Sequence, residues 1–312
     1  MLIEKSGKVI KGLGGLYNIR IEENGRISYA ACKAKGSLHR GEEKLLIGDN
    51  VKITIDEATP DSVVISEVLP RKNALIRPPM ANLDLIFVVF AAAKPTPVTE
   101  TVDKLISIAE YNGIKPVVVV TKSDIDGAAA ERYADIYRGA GIDTFVTSYN
   151  TGEGISELLA YVNQNISLSV TAAFAGASGV GKSTLMNALF PNLSLETAEI
   201  SKKIERGRHT TRHVEIFPLE ERLGCGFLAD TPGFSLLDFS RFDFFPIESL
   251  ESTFRELIPY KNSCRYADCA HIGEGAADCA VMRAVIEGKI AESRLYSYRE
   301  IYKTLKSKNK YD

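Results

Sequence analysis

Gly176-Ala177-Ser178-Gly179-Val180-Gly181-Lys182-Ser183-Thr184 follows the apolar run Thr171 to Ala175 and opens a helical stretch. A strand, this spacing of glycines ending in Lys-Ser, and then a helix make the pattern of a phosphate-binding loop. Glycines let backbone N–H groups wrap phosphate oxygens, Lys182 can reach the β and γ oxygens, and the Ser183 hydroxyl can ligate Mg²⁺ at the positive helix end. At average residue frequencies a chance match in a chain this long is on the order of one in a hundred. The alternative is a plain glycine-rich turn.

Toward the N-terminus, Thr121-Lys122-Ser123-Asp124 ends the apolar run Pro116 to Val120. A base-reading Asn/Thr-Lys-x-Asp stands at such a strand end in GTPases. A carboxylate there accepts both N–H donors of guanine, an edge adenine lacks, so Asp124 is the expected specificity residue and the Lys122 stem packs over the base. Thr147-Ser148, after the next strand, is the expected contact to the guanine carbonyl. Downstream, Asp230-Thr231-Pro232-Gly233 suits a switch II loop, with Asp230 at the Mg²⁺ shell and Gly233 at the γ-phosphate. Gly207-Arg208-His209-Thr210-Thr211 suits switch I, with Thr211 as the magnesium ligand and Thr210 as the alternative.

The base-reading loop precedes the phosphate loop by some fifty positions, the reverse of the conventional order. The motifs therefore predict a circularly permuted domain, in which switch II runs directly into the C-terminal segment and passes any γ-phosphate-dependent shift to it.

Around these motifs, continuous β-branched runs alternate with helical stretches between residues 83 and 175, the pattern of a doubly wound α/β domain. Residues before Pro70 read as five short strands without a helix: Gly7 to Gly12, Leu16 to Ile21, Arg26 to Lys33, Asn50 to Ile55 and Ser62 to Val68. Asn24-Gly25 between two of them is a two-residue hairpin signal. A small barrel of the OB type follows, used on RNA or as a structural appendage. The expected division is a barrel over 1–70, a proline-rich linker over 71–82, a GTPase domain over 83–236 and a helical metal-binding domain over 237–312.

The chain has formal net charge −2, and 45% of its residues are hydrophobic, so bulk basicity does not announce a nucleic-acid partner; local patches would have to meet phosphates. Its longest apolar stretch, Leu85 to Ala93, is too short for a bilayer span, and the N-terminus lacks a signal-peptide pattern, so the expectation is a cytoplasmic, monomeric protein. Cys32 and Cys225 stand alone and read as core residues. Cys264-x₄-Cys269-x-His271-x₇-Cys279 offers three thiolates and an imidazole, a closed set suited to one structural zinc; reduced core cysteines or a redox pair are the alternatives. From Arg283 to Lys310 there are eight Lys/Arg against three Asp/Glu, which fits a contact with RNA or a solvated amphipathic helix. Tyr296, Tyr298 and Tyr302 read as packing residues.

The permuted order, the Gly-Arg-His-Thr-Thr segment, the Cys/His cluster, Glu287-Gly288-Lys289-Ile290 and Arg294-Leu-Tyr-Ser-Tyr298 together resemble the circularly permuted GTPases of small-ribosomal-subunit biogenesis called RsgA, over nearly the whole chain. The resemblance implies an N-terminal OB-fold, a C-terminal zinc domain, GTP hydrolysis to GDP stimulated by the small subunit, binding near its decoding region and a role in late subunit maturation. Phe234 stands where other GTPases place a water-positioning glutamine, and a phenyl ring can neither orient water nor accept its proton. Slow intrinsic hydrolysis follows. The family assigns the water to the histidine matching His209; a loop histidine without a catalytic part is the alternative. A nucleotide-gated RNA-binding scaffold with negligible turnover is the rival function.

Overall fold

The computed structural model describes residues 2–35, 44–56, 59–166, 169–191, 214–219, 226–230 and 238–308. Its N-terminal strands are β1 (Leu2–Leu13), β2 (Leu16–Glu23), β3 (Arg26–Ala34), β4 (Asn50–Asp56) and β5 (Thr59–Val68). Asn24 and Gly25 take φ of 51° and 73°, the paired left-handed positions a two-residue turn demands, and they close β2 on β3 with Glu23 opposite Arg26. The barrel closes because β1 pairs with both β2 and β4, Gly7 lying opposite Ile21 on one side and Val51 on the other. A Cβ on Gly7 would sit 2.4 Å from Ile19, so only glycine fits this crossing. Val9, Ile19, Cys32, Val51, Ile53 and Ile65 fill the interior.

The proline-rich stretch expected as a linker is folded. β6 (Ala74–Leu75) pairs with β7 (Met80–Ala81), burying Leu75 and Met80. Arg71 grips buried Asp49 through two hydrogen bonds of 2.6 and 2.8 Å, and the Asn82 amide donates to the Gly48 carbonyl at 2.9 Å. Proline content signalled irregular backbone correctly, but it carries no information about these side-chain clamps.

The parallel region follows the expected alternation: β8 (Leu85–Ala91), α1 (Thr99–Tyr111), β9 (Lys115–Thr121), α2 (Gly127–Gly139), β10 (Asp143–Val146) and α3 (Ile155–Asn165). β8 and β10 flank β9, both parallel to it, and β8 is buried throughout, as a strand covered on both faces must be. β11 (Thr171–Ala175) leads to α4 (Lys182–Leu189). β12 (Glu215–Pro218), which the motif reading did not anticipate, pairs antiparallel with β13 (Phe227–Asp230) and bridges β1 at Lys11.

Two compact units partition the chain. One gathers Met1–Asp84, Asn165–Ala173 and Glu196–Gly233; the other gathers Leu85–Gln164, Phe174–Leu195 and Phe234–Asp312. The second unit thus holds the base loop, the phosphate loop and the C-terminal helices α5 (Ile258–Lys261), α6 (Ala280–Ile286) and α7 (Glu292–Lys308). Arg294 of α7 is 1% exposed. It reaches Asp103 of α1 and Glu256, each at 2.6 Å, with its guanidinium 4.5 Å from the centre of the Phe254 ring. Burial alone would depress this guanidinium, but Asp103 and Glu256 raise it, so it stays charged. Burial pushes the Asp103 carboxyl up against the pull of Arg294. Tyr298 packs as expected, whereas Tyr296 is 58% exposed. Among the described residues, no helix is long and apolar enough to cross a membrane.

Candidate nucleotide site and metal centre

β11 delivers the phosphate loop. Gly176 sits at φ 150°, and a Cβ there would lie 2.0 Å from the Val89 carbonyl oxygen; Gly179 and Gly181 take φ of 79° and 97°. All three are conformations or approaches that side chains resist. The loop is thereby turned so that Ala177, Ser178 and Gly179 are exposed, Val180 is buried as an anchor, and Ser183 and Thr184 are exposed in the first turn of α4. The Lys182 ammonium donates to the carbonyls of Gly176 at 2.7 Å and Ala177 at 3.0 Å, so a positive charge lies along the loop.

β9 delivers the base loop to the same place. Buried Thr121 donates its hydroxyl to the Val180 carbonyl at 2.5 Å, and Lys122, at φ 59°, donates to the Gly179 carbonyl at 2.7 Å and to that of Lys94. Two side chains of the base loop therefore clamp the phosphate loop across 57 and 59 positions of sequence. Asp124 accepts the Ser148 hydroxyl at 2.7 Å on one carboxylate oxygen and the Asn150 amide at 2.8 Å on the other. These bonds, Ser148 first and Asn150 next, hold the Asp124 carboxyl below the usual range and keep it ionised. Thr147 and Ser148 are buried, and Ser123 donates to Glu153 at 2.6 Å. Asn150 and Glu153 were not singled out from the sequence, because a polar residue in a turn carries no signal of the carboxylate or hydroxyl it meets.

Of the expected magnesium ligands, Ser183 is placed at the helix start and Asp230 ends β13. The Asp230 side chain lies outside the described residues, as do His209, Thr210, Thr211, Gly233, Phe234 and Cys225.

The C-terminal cluster assembles from four separate positions. Nδ1 of His271 lies 3.7 Å from Sγ of Cys264 and 3.4 Å from Sγ of both Cys269 and Cys279, and all four atoms fall within 4.8 Å of one another. Tetrahedral zinc with Zn–S near 2.3 Å and Zn–N near 2.05 Å requires N···S separations of about 3.6 Å. The donor set fits the ion in size, number and chemistry. Burial pushes the thiols of Cys269 and Cys279 up, so without a cation these sulfurs would keep their protons.

Comparison with known proteins agrees with this geometry. Residues 68–240 match the family model described as RsgA GTPase, and residues 6–62 match the RsgA N-terminal domain. The small ribosomal subunit biogenesis GTPase RsgA of Caldanaerobacter subterraneus subsp. tengcongensis is 39% identical over 305 residues, covering 97% of both chains. The protein of that name from Bacillus cereus strain ATCC 14579 is 38% identical over 306 residues, 97% of this chain and 98% of its own. The crystal structure of YjeQ from Thermotoga maritima superposes with a TM-score of 0.78 at 32% identity, covering 97% of this chain and 99% of that one. YloQ, described as a circularly permuted GTPase, superposes at 0.75 with 31% identity, over 98% and 96% of the two chains. With its base loop preceding its phosphate loop, a closed N-terminal barrel and a Cys₃His cluster at the C-terminal end, this chain belongs to the RsgA family of circularly permuted GTPases.

Proposed function

We propose that this protein hydrolyses GTP to GDP and phosphate as a timer in late maturation of the small ribosomal subunit, binding ribosomal RNA in its GTP form. The observation that carries the nucleotide assignment is the clamp of Thr121 and Lys122 on the carbonyls of Val180 and Gly179, which unites two motifs in inverted chain order. Residues Gly176 to Thr184 cradle the phosphates, Asp124 accepts the guanine donors, and Thr147 and Ser148 border the base. Ser183, Asp230 and Thr211, with Thr210 as the alternative, would hold magnesium, which when bound neutralises charge on the phosphate oxygens. With Phe234 after switch II, His209 is assigned the attacking water. Cys264, Cys269, His271 and Cys279 hold one structural zinc. Partners are the small subunit and its RNA, reached through the barrel and the basic tail, in the cytoplasm.

Calorimetry with GDP and ADP tests the site: GDP binds, ADP at least a thousandfold more weakly, and equal binding overturns the assignment. Turnover with and without isolated small subunits tests the activity. Stimulation is expected and is lost in His209→Ala. Phe234 favours a second reading, the gated scaffold, for which subunits leave turnover negligible while GTP-dependent co-sedimentation persists.

A further inference from the structure

His271 is 1% exposed and occupies a left-handed backbone conformation, φ 60°, a position rare for a residue with a side chain. The chain holds it there from three directions. Arg299 donates Nε–H to the His271 carbonyl at 2.8 Å, the Tyr298 hydroxyl donates to the Ala270 carbonyl at 3.2 Å, and Oε1 of Glu251 lies 2.9 Å from Nε2 of the imidazole. Glu251 opens the 3-10 turn Glu251–Thr253, between fully buried Leu250 and Phe254, so its backbone is pinned by the core. Its second oxygen faces the Lys261 ammonium at 3.7 Å.

A neutral imidazole has one N–H and one lone pair, and the lone pair alone can bind a metal. A carboxylate has no proton to give, so the 2.9 Å contact places the imidazole proton on Nε2. The lone pair is then on Nδ1, the atom 3.4 to 3.7 Å from three sulfurs. We infer that Glu251, a residue outside the Cys₃His set, is a positioning residue of the metal centre, fixing the tautomer and ring orientation with which His271 meets zinc. The inference rests on the zinc reading of the cluster.

The test uses the full-length chain loaded with one equivalent of zinc and titrated with a chromogenic chelator. Outer partners of metal-bound histidines typically contribute 10- to 100-fold in affinity. Glu251→Ala is expected to weaken zinc by that factor, and Glu251→Gln, whose amide oxygen still accepts from Nε2–H without the charge, by about threefold to tenfold. In ¹⁵N spectra of the zinc-loaded protein, the slowly exchanging Nε2–H of His271 is expected in wild type and in Glu251→Gln and is lost in Glu251→Ala. Should Glu251→Ala fail to fold, Glu251→Gln decides on affinity and the wild-type spectrum on the tautomer. Zinc affinities within twofold of wild type in the folded variants, or an Nδ1-protonated His271, overturn the assignment of Glu251 while leaving zinc in place. Wild type that binds no zinc overturns the zinc reading itself.

Discussion

Replacing Arg294 by methionine removes a buried charge from the second unit while keeping most of the side-chain volume. Arg294 is 1% exposed, and Asp103 is fully buried; the two are 2.6 Å apart, and Glu256 lies at the same distance on the other side. Removing one member of a buried pair leaves its partner uncompensated, at about 3 to 5 kcal/mol. The chemistry sets a ceiling of similar size. A stranded carboxyl can escape by taking a proton, which for a group with an ordinary value near 4 costs about 4 kcal/mol at pH 7 and about 1.5 kcal/mol at pH 5. Burial already pushes Asp103 up, and the variant raises it further. Above the ordinary value the folded variant then binds more protons than the unfolded chain, so its stability falls as pH rises. Urea unfolding followed by circular dichroism and tyrosine emission, there being no tryptophan, should show the Arg294→Met deficit shrinking by half or more between pH 7 and pH 5. Adding Asp103→Leu and Glu256→Met should recover most of the loss. A deficit below about 1 kcal/mol at pH 7, or one equal at the two pH values, would refute the reasoning.

Asp124→Asn exchanges one acceptor for a donor facing guanine, and with charge-assisted bonds contributing about 1.5 to 3 kcal/mol each, GDP affinity should fall by about 10² to 10⁴ in calorimetry. Gly176→Ala places a methyl group 2.0 Å from the Val89 carbonyl oxygen, so GDP binding should weaken at least tenfold; an unchanged affinity would show the loop free to move. Lys8, 8% exposed with its ammonium 5.2 Å from the Phe227 ring centre, is lowered by burial to about 8. Between about 8 and its ordinary value the folded protein holds fewer protons there than the unfolded chain, so stability of the first unit should rise across that window, by about 3 kcal/mol in all. Lys8→Met should flatten the rise.

The parts of the fold written in periodic or conformational code were legible. Asn24-Gly25 fixes its turn through backbone preference, the glycines of the phosphate loop through positive φ, and the buried parallel strands through unbroken apolar runs. The two nucleotide motifs announced their order but not the hydrogen bonds from Thr121 and Lys122 that join them, since spacing in a chain says nothing of angle in space. β12 escaped notice because four residues ending in a proline are too short to make a periodic signal. The Arg294–Asp103 pair, separated by 191 positions, was invisible for the same reason as the Glu251–His271 contact: each half is an ordinary charged residue until folding brings its partner.

β13 carries Asp230 at its tip and, with β12, completes the first unit, whose other strand residues come from before 85 and from Asn165–Ala173. Emerging N-terminus first, the nascent polypeptide delivers all five barrel strands long before β12 emerges to cover β1 at Lys11. Beyond Lys8, where the pairing of β1 with β4 ends, the strand stays open until then, and the exposed N–H and C=O groups of an unpaired strand edge invite stray association. Lys11, which in the finished fold meets Glu215 of β12 at 2.9 Å, sets a positive charge at that opening, so it is guarded electrostatically until its own late-made strand arrives.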